Sequence, residues 1–350
     1  MDRSQRKMDH IQHALSTNDL QRNGFDDVRF IPNSLPNIHY GNTLLVTDLG
    51  PFRLTSPIFI NAMTGGAAAT TEINQKLAII AKERGLAMAV GSQMAALRDP
   101  TARESYTIVR KENPHGILFA NIGAEATVEQ AQAAVEMIEA NALQIHLNVM
   151  QELLMPEGDR DFSGYLEKIQ RIKNKLSVPV LVKEVGFGMS ADTIQKLVVD
   201  IGIQMIDVGG RGGTNFAKVE NLRRSQPLPM FDDWGLSTVE SLLEASILAN
   251  RHLSVMATGG VRHGLDVAKA LSLGAEAVGI AGALLRLVKT RTIDECLQAV
   301  DAWHHEIRIA MTSLGIANTD RFRGLPLVIM GQTADYARLR GIDLVGLAQR

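Results

Sequence analysis

The sequence predicts an α/β protein that folds as a single (β/α)8 TIM barrel, with an N-terminal extension of helix and loop and a C-terminal helical tail. Short apolar runs alternate eight times with amphipathic helical patterns over about 230 residues, which is typical of this barrel. The even number of strands, and the absence of a GxGxxG turn after the first, argue against an open doubly wound sheet. The 350 residues, 45% of them hydrophobic, suffice for one large core.

We interpret the whole chain as one domain, because no stretch of linker-like composition interrupts it. Residues 1–55 form the N-terminal extension, 56–290 the barrel core, and 291–350 the final helix and tail. Within the extension, the sequence predicts a polar helix over 2–16 and an irregular loop over 18–42. Apolar runs at 44–47 and 52–54, on either side of a glycine-proline turn, predict a hairpin that closes the bottom of the barrel.

The barrel strands are predicted from short apolar runs bounded by turn residues. They cover residues 57–62, 86–90, 117–122, 143–147, 180–185, 205–208, 255–257 and 277–280. Apolar side chains three or four positions apart predict helices with one buried face between these strands. Examples of such stripes are Ile73, Leu77 and Ile80 in the first helix, and Leu265, Ala268 and Leu271 before the last strand. We also predict a weaker helix over 101–112, a long glycine-rich loop over 209–236, a long helix over 292–314 and a helical pattern near 333–340.

Composition and charge exclude several classes of partner. The formal net charge is −2 and the pI is about 6.5, and no block of Lys and Arg indicates a nucleic-acid or membrane surface. Cys296 is the one cysteine, so no intrachain disulfide forms and a reducing compartment is expected. The polar N-terminus lacks the apolar segment of a signal peptide, and no apolar run reaches the roughly 20 residues of a membrane helix. We therefore expect a cytoplasmic protein.

Catalytic and binding residues of a (β/α)8 barrel lie at the C-terminal ends of its strands. In this chain those positions hold groups that form hydrogen bonds, and few that react by themselves. The candidates after the first six strands are Ala62, Met63, Thr64, Ser92, Asn121, His146, Asn148, Gln151, Glu152, Lys183 and Thr214. Among them, Thr64, Ser92 and Asn121 are suited to the polar edge of a planar heterocycle.

Two consecutive strand-to-helix turns are made of small residues, Gly259-Gly260 after the seventh strand and Ala281-Gly282 after the eighth. Glycine lets the backbone approach a ligand closely, and each turn directs free backbone N–H groups toward one point. With Arg262 beside the first turn, this arrangement predicts a phosphate site in the loops after the last two strands. The alternative is a pair of ordinary tight turns in an α/β protein.

Lys183 lies within the apolar run PVLVKEV, where a lysine must find an anionic partner or remain neutral. A reduced flavin is anionic on its pyrimidine side, so a lysine beside that side is physically reasonable. An ion pair with Glu184 or with a neighbouring strand is the alternative. His146 and Asn148 face the same way from their strand, although a lone strand histidine is more often structural.

Glu152 is a carboxylate without a second acid close to it in the sequence. It cannot build a metal cage from protein ligands alone, but it can hold Mg²⁺ together with waters and the phosphates of a substrate. A solvated loop glutamate is the alternative. No GxSxG or HExxH motif occurs, and Cys296 falls in the final helix, so hydrolase and cysteine-nucleophile chemistry fit less well.

These segments together resemble the type 2, FMN-dependent isopentenyl-diphosphate isomerase family from residue 6 to about residue 341. The motifs that carry the resemblance are RKMDHI at 6–11, AMTGG at 62–66, GSQ at 91–93, HLNVMQE at 146–152, KEVGFGMS at 183–190, GGRGGTNF at 209–216, DDWG at 232–235 and TGGVR at 258–262. Considered by itself, the segment 2–16 reads as a solvated terminal helix. The resemblance instead implies that Arg6, Lys7 and His10 fold over the active site and bind the substrate diphosphate.

The resemblance also implies roles for the residues at the strand ends. Glu152 would bind Mg²⁺, Gln151 would contact the reacting end of the substrate, and His146 and Asn148 would complete the substrate site. The implied FMN contacts are Ala62, Met63, Thr64, Ser92, Asn121, Lys183, Thr214, Gly259, Gly260, Arg262, Ala281 and Gly282.

The implied reaction interconverts isopentenyl diphosphate and dimethylallyl diphosphate, moving a C=C bond by one position with no net redox change. FMN must be reduced, usually by NADPH, which acts as an activator. Because an amide titrates far from neutral pH, we assign Gln151 to positioning or proton relay, with the flavin as the main acid and base. The resemblance further implies a homo-oligomer, either a tetramer or an octamer, with a small-molecule diphosphate as its partner.

Three other functions compete with this interpretation, and the first two lack a residue that they need. The phosphate segment is also similar to that of 2-hydroxy-acid oxidases, but the loop after the sixth strand lacks the catalytic histidine of that family. Inosine-monophosphate dehydrogenases need a loop cysteine, which this chain lacks. A non-catalytic flavin- or nucleotide-binding protein would use the same phosphate turns. Only the cluster His146, Asn148, Gln151 and Glu152 argues for chemistry against that last possibility.

Overall fold

The computed structural model describes residues 22–248 and 252–350. The predicted helix over 2–16 therefore lies outside the described residues, together with Arg6, Lys7 and His10. Within the described ranges the chain forms twelve short strands, eight of which build the barrel. The strands are β1 (Val28–Phe30), β2 (Thr47–Leu49), β3 (Phe52–Leu54), β4 (Ile58–Ile60), β5 (Ala87–Ala89), β6 (Leu118–Gly123), β7 (Ala142–Leu147), β8 (Val180–Glu184), β9 (Met205–Asp207), β10 (Ser254–Thr258), β11 (Ala277–Ile280) and β12 (Leu327–Ile329).

Strands β4 to β11 form a closed, all-parallel barrel in which each strand pairs with its neighbours along the sequence. The circle closes between β11 and β4, where Val278 pairs with Ile58 and Ile280 with Ile60. Parallel strands need a crossover connection, and a helix usually supplies it. The eightfold alternation seen in the sequence thus corresponds to the eight strands of the barrel, and the predicted fold class is confirmed.

Helices surround the barrel and continue beyond it toward the C-terminus. They are α1 (Thr71–Arg84), α2 (Met94–Arg98), α3 (Glu104–Glu112), α4 (Val128–Met137), α5 (Val149–Leu154), α6 (Tyr165–Lys175), α7 (Ala191–Gln195), α8 (Phe216–Asn221), α9 (Thr238–Ile247), α10 (Gly264–Ser272), α11 (Gly282–Thr290), α12 (Ile293–Leu314), α13 (Gly331–Leu339) and α14 (Leu344–Ala348). A π-helical turn, Lys196–Asp200, extends α7. Local sequence sets several ends: α1 stops at Gly85, which has a φ of 61°, and α12 starts with a capping box of Thr292 and Glu295.

Apolar side chains fill two layers. The larger layer lies between the strands and the surrounding helices, and the smaller one fills the inside of the barrel with residues such as Phe59, Phe119 and Met256. The antiparallel hairpin of β2 and β3 belongs to the inner layer through Leu49 and Leu54, which are buried. The Gly50 amide donates to Ser254 Oγ at 3.0 Å, at the first residue of β10. The hairpin therefore closes the N-terminal end of the barrel, as predicted, although its first strand begins at residue 47 and not at 44.

Three details differ from the predictions. The loop predicted over 18–42 contains β1, which pairs with β12 in the tail and makes a two-stranded ribbon outside the barrel. The loop predicted over 209–236 contains α8. Leu265 was predicted on the buried face of its helix but is 41% exposed, because α10 turns Val267, Ala268 and Leu271 toward the core instead.

No helix in residues 22–248 or 252–350 is both long enough and apolar enough to cross a membrane. Cys296 is buried in α12, away from the C-terminal strand ends, as the sequence indicates.

Candidate active site

One cavity of about 470 Å³ opens at the C-terminal ends of the barrel strands. Its size is within the range of pockets that bury most of a small-molecule ligand. Every predicted site residue within the described ranges lines it, and together they come from all eight strand ends. These residues are Ala62, Met63, Thr64, Ser92, Asn121, His146, Asn148, Gln151, Glu152, Lys183, Thr214, Gly259, Gly260, Arg262, Ala281 and Gly282.

The loops after β9 and β10 meet at one end of this cavity. Gly259 and Gly260 have φ angles of 115° and 71°, in the region that favours glycine. A Cβ on either residue would collide with the carbonyl oxygen of Gly210 or Gly212 in the loop after β9. The sequence suggested that these glycines allow close approach to a ligand. The structure shows that they are also required for another reason, because a side chain at either position would prevent the two loops from packing together.

Helix α11 begins at Gly282 beside these two loops. The first amides of a helix have no acceptor within the helix, and its dipole is positive at this end. A Cβ built on Gly282 would lie 3.6 Å from Thr214 Oγ1 and 3.7 Å from an Arg286 guanidinium nitrogen, so a hydroxyl and a cation converge on the same point. This set of donors fits the phosphate of FMN. Arg286 was not among the predicted residues, because an arginine within a helix carries no distinguishing sequence signal.

Arg262 lines the same end of the cavity and also ties the phosphate loop to the start of the described chain. Its guanidinium lies 3.1 Å from Asn23 Oδ1, 3.3 Å from the Asp26 carboxylate and 3.4 Å from Asp266 Oδ2. Asn23 in turn donates from Nδ2 to the carbonyl oxygen of Gly260 at 2.6 Å. The loop that would face the phosphate is therefore held by side chains from outside the barrel.

Lys183 is buried in β8 and lines the cavity. Its Nζ donates to the backbone oxygen of Glu184 at 2.7 Å, and no ion pair with the Glu184 carboxylate forms. That carboxylate instead accepts from the amides of Gly186 at 2.7 Å and Phe187 at 2.5 Å. Burial raises the pKa of Glu184 to about 7, and these amides and Lys183 oppose the increase. One of the two alternatives for Lys183, pairing with Glu184, is thus not what the structure shows.

Asp207 is a buried carboxylate that sequence reasoning missed. It lies in β9 directly in register with Lys183 in β8. Burial lowers the pKa of Lys183, and Asp207 opposes that shift; burial raises the pKa of Asp207, and Lys183 opposes it in the same way. The signal was available, because Asp207 is a charged residue in an apolar strand, as Lys183 is.

His146 faces the cavity from β7 and is held by its neighbour in β6. Its Nδ1 lies 2.9 Å from Asn121 Oδ1, and Asn121 Nδ2 donates to the Val90 oxygen at 3.0 Å. Burial, together with the nearby positive charge of Lys183, lowers the pKa of His146 to about 3. His146 is therefore neutral at physiological pH, which suits a hydrogen-bonding role in substrate or flavin binding.

Gln151 and Asn148 stand at the start of α5, and each is anchored to a carboxylate. Asn148 Nδ2 donates to Glu152 Oε1 at 2.8 Å, and Gln151 Nε2 donates to Glu220 Oε1 at 3.2 Å. Glu220 is fully buried in α8 and pairs with Arg223 at 2.5 Å. Because a long loop was predicted over 209–236, this helix was missed, and nothing in the sequence placed Glu220 beside Gln151.

Glu152 has both carboxylate oxygens engaged at the rim of the cavity. Oε1 accepts from Asn148, and Oε2 accepts from the Asp159 amide at 2.8 Å. In the part of the chain that the structure describes, no group of three or more His, Cys, Asp or Glu side chains is placed to hold a metal ion. A metal bound at Glu152 would take one protein carboxylate and would complete its shell with waters and substrate phosphates.

Comparisons with known proteins agree with the fold. A family model described as FMN-dependent dehydrogenase matches residues 95–324. The solved structure of a flavocytochrome b2 double mutant with sulfite bound superposes with a TM-score of 0.68 at 20% identity, covering 98% of this chain and 84% of that one. A lactate oxidase from Pediococcus acidilactici superposes with a TM-score of 0.65 at 15% identity, covering 92% and 87%. At such identities these structures bear on the fold alone.

Sequence relatives are much closer. The isopentenyl-diphosphate delta-isomerase of Bacillus cytotoxicus is 52% identical over 351 residues, covering 100% of both chains. That of Geobacillus sp. is 51% identical over 344 residues, covering 98% of each. A match of this length and identity, together with the FMN-dependent family model, places the chain: it belongs to the type 2, FMN-dependent isopentenyl-diphosphate delta-isomerase family.

Proposed function

We propose that this chain interconverts isopentenyl diphosphate and dimethylallyl diphosphate by an allylic proton shift, with reduced FMN and Mg²⁺ bound. One observation carries the proposal beyond family membership. The donors that fit a flavin phosphate and the cluster of Asn148, Gln151 and Glu152 line the same cavity. A protein that only binds flavin would need the first set of residues and would have no use for the second.

The residues proposed to hold FMN divide by the part of the cofactor that they suit. The loops after β9, β10 and β11 suit the phosphate, and Lys183 suits the pyrimidine side of the ring. Thr64, Ser92 and Asn121 lie at the ends of β4 to β6, where they suit the polar edge of the ring. When bound in its reduced form, FMN would supply electron density under the alkene and a ring nitrogen that exchanges the proton.

The diphosphate is proposed to bind at the rim, away from the flavin phosphate. Glu152 would hold Mg²⁺ between its carboxylate and the diphosphate oxygens. Arg6, Lys7 and His10 would bind the same group from the N-terminal segment. Remote binding energy of this kind orients the alkene for reaction and helps to exclude water.

Gln151 is proposed either to position the reacting end of the substrate or to relay a proton. Its amide cannot act as an acid or base near neutral pH, but it hydrogen bonds to the buried carboxylate of Glu220. Glu220 is thereby linked to the cavity through one side chain. His146 and Asn148, which line the same cavity as Gln151, would complete the substrate site.

Three further features belong to the same proposal. NADPH would reduce FMN and act as an activator, without being consumed in each turnover. The protein would work in the cytoplasm, as its single buried cysteine suggests. It would assemble as a homo-oligomer, a tetramer or an octamer, and light scattering on the purified protein measures that state directly.

The experiment that tests the function is proton NMR of isopentenyl diphosphate in D₂O. The substrate is incubated anaerobically with the protein, FMN, NADPH and Mg²⁺. Dimethylallyl diphosphate that carries deuterium, and that forms only when the flavin is reduced, is the expected result. A yellow, FMN-loaded protein that leaves the substrate unchanged would refute the reaction, and a role in binding flavin alone would remain.

A further inference from the structure

The inside of the barrel contains a carboxylate for which the proposed reaction has no use. Asp207 is fully buried near the C-terminal end of β9. Its position is in register with Lys183 on the next strand, and Lys183 is in register with His146 on the strand after that. Paired positions on adjacent parallel strands point their side chains to the same face, so all three side chains share the inside of the barrel.

The three hydrogen-bond partners of Asp207 all donate to it. Thr258 Oγ1 donates to Oδ1 at 2.7 Å, the Gly209 amide donates to Oδ1 at 3.1 Å, and Asn61 Nδ2 donates to Oδ2 at 3.2 Å. An ionised carboxylate only accepts hydrogen bonds, whereas a protonated one needs an acceptor for its own hydrogen. The surroundings of Asp207 are therefore those of an anion.

Lys183 needs such an anion. Its ammonium is buried and has one hydrogen bond, to a backbone oxygen. A buried charge of this kind is costly without a counter-charge. The Glu184 carboxylate is turned away toward the amides of Gly186 and Phe187, and His146 is neutral. Asp207 is thus the carboxylate placed to offset the charge of Lys183.

We infer that Asp207 is a positioning residue that keeps Lys183 charged and directed into the cavity, so that the protein binds reduced FMN more tightly than oxidised FMN. This inference rests on the proposed function, because it requires that FMN binds beside Lys183. Asp207 itself would not touch the substrate. Its effect would act through Lys183, on the negative charge that the flavin gains on reduction.

The test is the midpoint potential of bound FMN, measured without substrate in the wild type, Asp207→Asn, Lys183→Gln and the double variant. If Asp207 keeps Lys183 charged, Asp207→Asn lowers the potential, because Lys183 then loses its proton. We expect at least a tenfold loss of preference for reduced FMN, about 30 mV for a two-electron couple. The double variant should have a potential no lower than that of Lys183→Gln alone, since the Lys183 charge through which Asp207→Asn lowers the potential is already absent.

The opposite sign would overturn the role. If Lys183 stays charged without Asp207, removing a nearby negative charge raises the potential of the flavin. An unchanged or raised potential in Asp207→Asn, or shifts that add in the double variant, therefore contradicts the inference. Glu244→Gln, which alters a buried carboxylate on α9 outside the cavity, is the control and should leave the potential unchanged.

A second pair of variants covers the case in which Asp207→Asn does not fold. Thr258→Val removes one hydrogen bond to Asp207 and should lower the potential, whereas Thr258→Ser keeps the donor and should not. Equal potentials in these two variants would overturn the inference. Because no substrate is present, a failed isomerase assay with the expected potentials would refute the proposed reaction and leave the role of Asp207 standing.

Discussion

At the scale of single residues, Glu152 offers a direct test of the metal site. We predict that Glu152→Gln raises the Mg²⁺ concentration needed for half-maximal activity by about tenfold or more, because an amide is a weaker ligand than a carboxylate. FMN should remain bound, since the FMN donors lie elsewhere in the cavity. Activity measured against Mg²⁺ concentration, with the flavin absorbance of the same samples, checks both statements. Asp161→Asn, in the loop that follows α5, is a control, and unchanged Mg²⁺ dependence in Glu152→Gln would rule out the assignment.

Variants of Gln151 and Glu220 distinguish a role in proton relay from a role in substrate binding. We predict that Gln151→Ala lowers kcat by about 100-fold, the usual scale for a lost proton-transfer group, with a smaller change in KM. Glu220→Gln should lower kcat in the same direction while the flavin spectrum is unchanged. Steady-state kinetics with saturating Mg²⁺ and reduced FMN measures both. A variant that raises KM and leaves kcat intact would assign Gln151 to substrate binding only.

Single functional residues could be predicted where a charged residue interrupts an apolar strand or follows the end of one. Lys183 stands out in an apolar strand, and Glu152 follows a strand end, so both could be selected before the structure was known. Asp207 breaks an apolar strand in the same way and could have been selected by the same reasoning. Glu220 could not, because its importance depends on a contact with Gln151 that is distant in the chain.

At the scale of elements, one carboxylate joins α9 to the C-terminal part of the chain. Glu244 Oε1 accepts from Arg340 Nε at 2.7 Å and from Tyr336 at 2.8 Å, and its Oε2 accepts from the Ala191 amide at 2.8 Å. Burial by itself would raise the pKa of Glu244, but these bonds outweigh it and hold the pKa below its usual range. The carboxylate is thus stabilised by the fold in its charged form.

We predict that Glu244→Gln lowers the free energy of unfolding by about 2 kcal/mol at neutral pH, since hydrogen bonds to a charged group are lost. The native pKa lies below the unfolded one, so this stabilisation is present above the unfolded pKa and is lost as the pH falls through the native pKa. Denaturant unfolding at several pH values should therefore show the difference between wild type and variant shrinking toward acid pH. A difference that is constant with pH would contradict the charged state of Glu244.

The hairpin that closes the bottom of the barrel gives a second prediction at this scale. Leu49 is fully buried among the apolar side chains inside the barrel. Leu49→Ala should lower the free energy of unfolding by about 3 kcal/mol, the usual cost of a cavity at a buried leucine. Affinity for FMN should stay within twofold, because the cavity lies at the other end of the strands. Flavin titration of the folded variant checks this, and a large loss of affinity would mean that the floor of the barrel shapes the site.

Elements that follow from the pattern of neighbouring residues were predicted better than elements that depend on contacts between distant parts of the chain. The barrel strands and most helices follow from periodicity within a few residues. The ribbon of β1 and β12 has no such signal, because two three-residue strands become recognisable only when they pair across about 300 positions. Helix α8 lies in a glycine-rich stretch, where composition indicates loop more strongly than it indicates helix.

At the scale of the whole molecule, the cofactor should stabilise the fold by mass action. A ligand that binds only the native state at 100 times its Kd adds about 2.7 kcal/mol to the free energy of unfolding. We predict a higher Tm with FMN than without it, and a smaller increase with riboflavin, which lacks the phosphate. Thermal unfolding of the stripped protein with each flavin at equal concentration measures the difference. Equal increases would mean that the loops after β10 and β11 do not bind the phosphate.

The hairpin of β2 and β3, which closes the N-terminal end of the barrel, also affects the kinetics of isotope labelling. Since the barrel is closed at its N-terminal end, substrate, product and exchangeable hydrogen must all pass through the same opening at the other end. A bound diphosphate therefore obstructs the route by which a deuteron from solvent would reach the reacting groups. Exchange with solvent is then limited by the release of the bound diphosphate. The fraction of product without deuterium therefore measures how often the proton removed from one carbon is delivered to a substrate carbon before it exchanges with solvent.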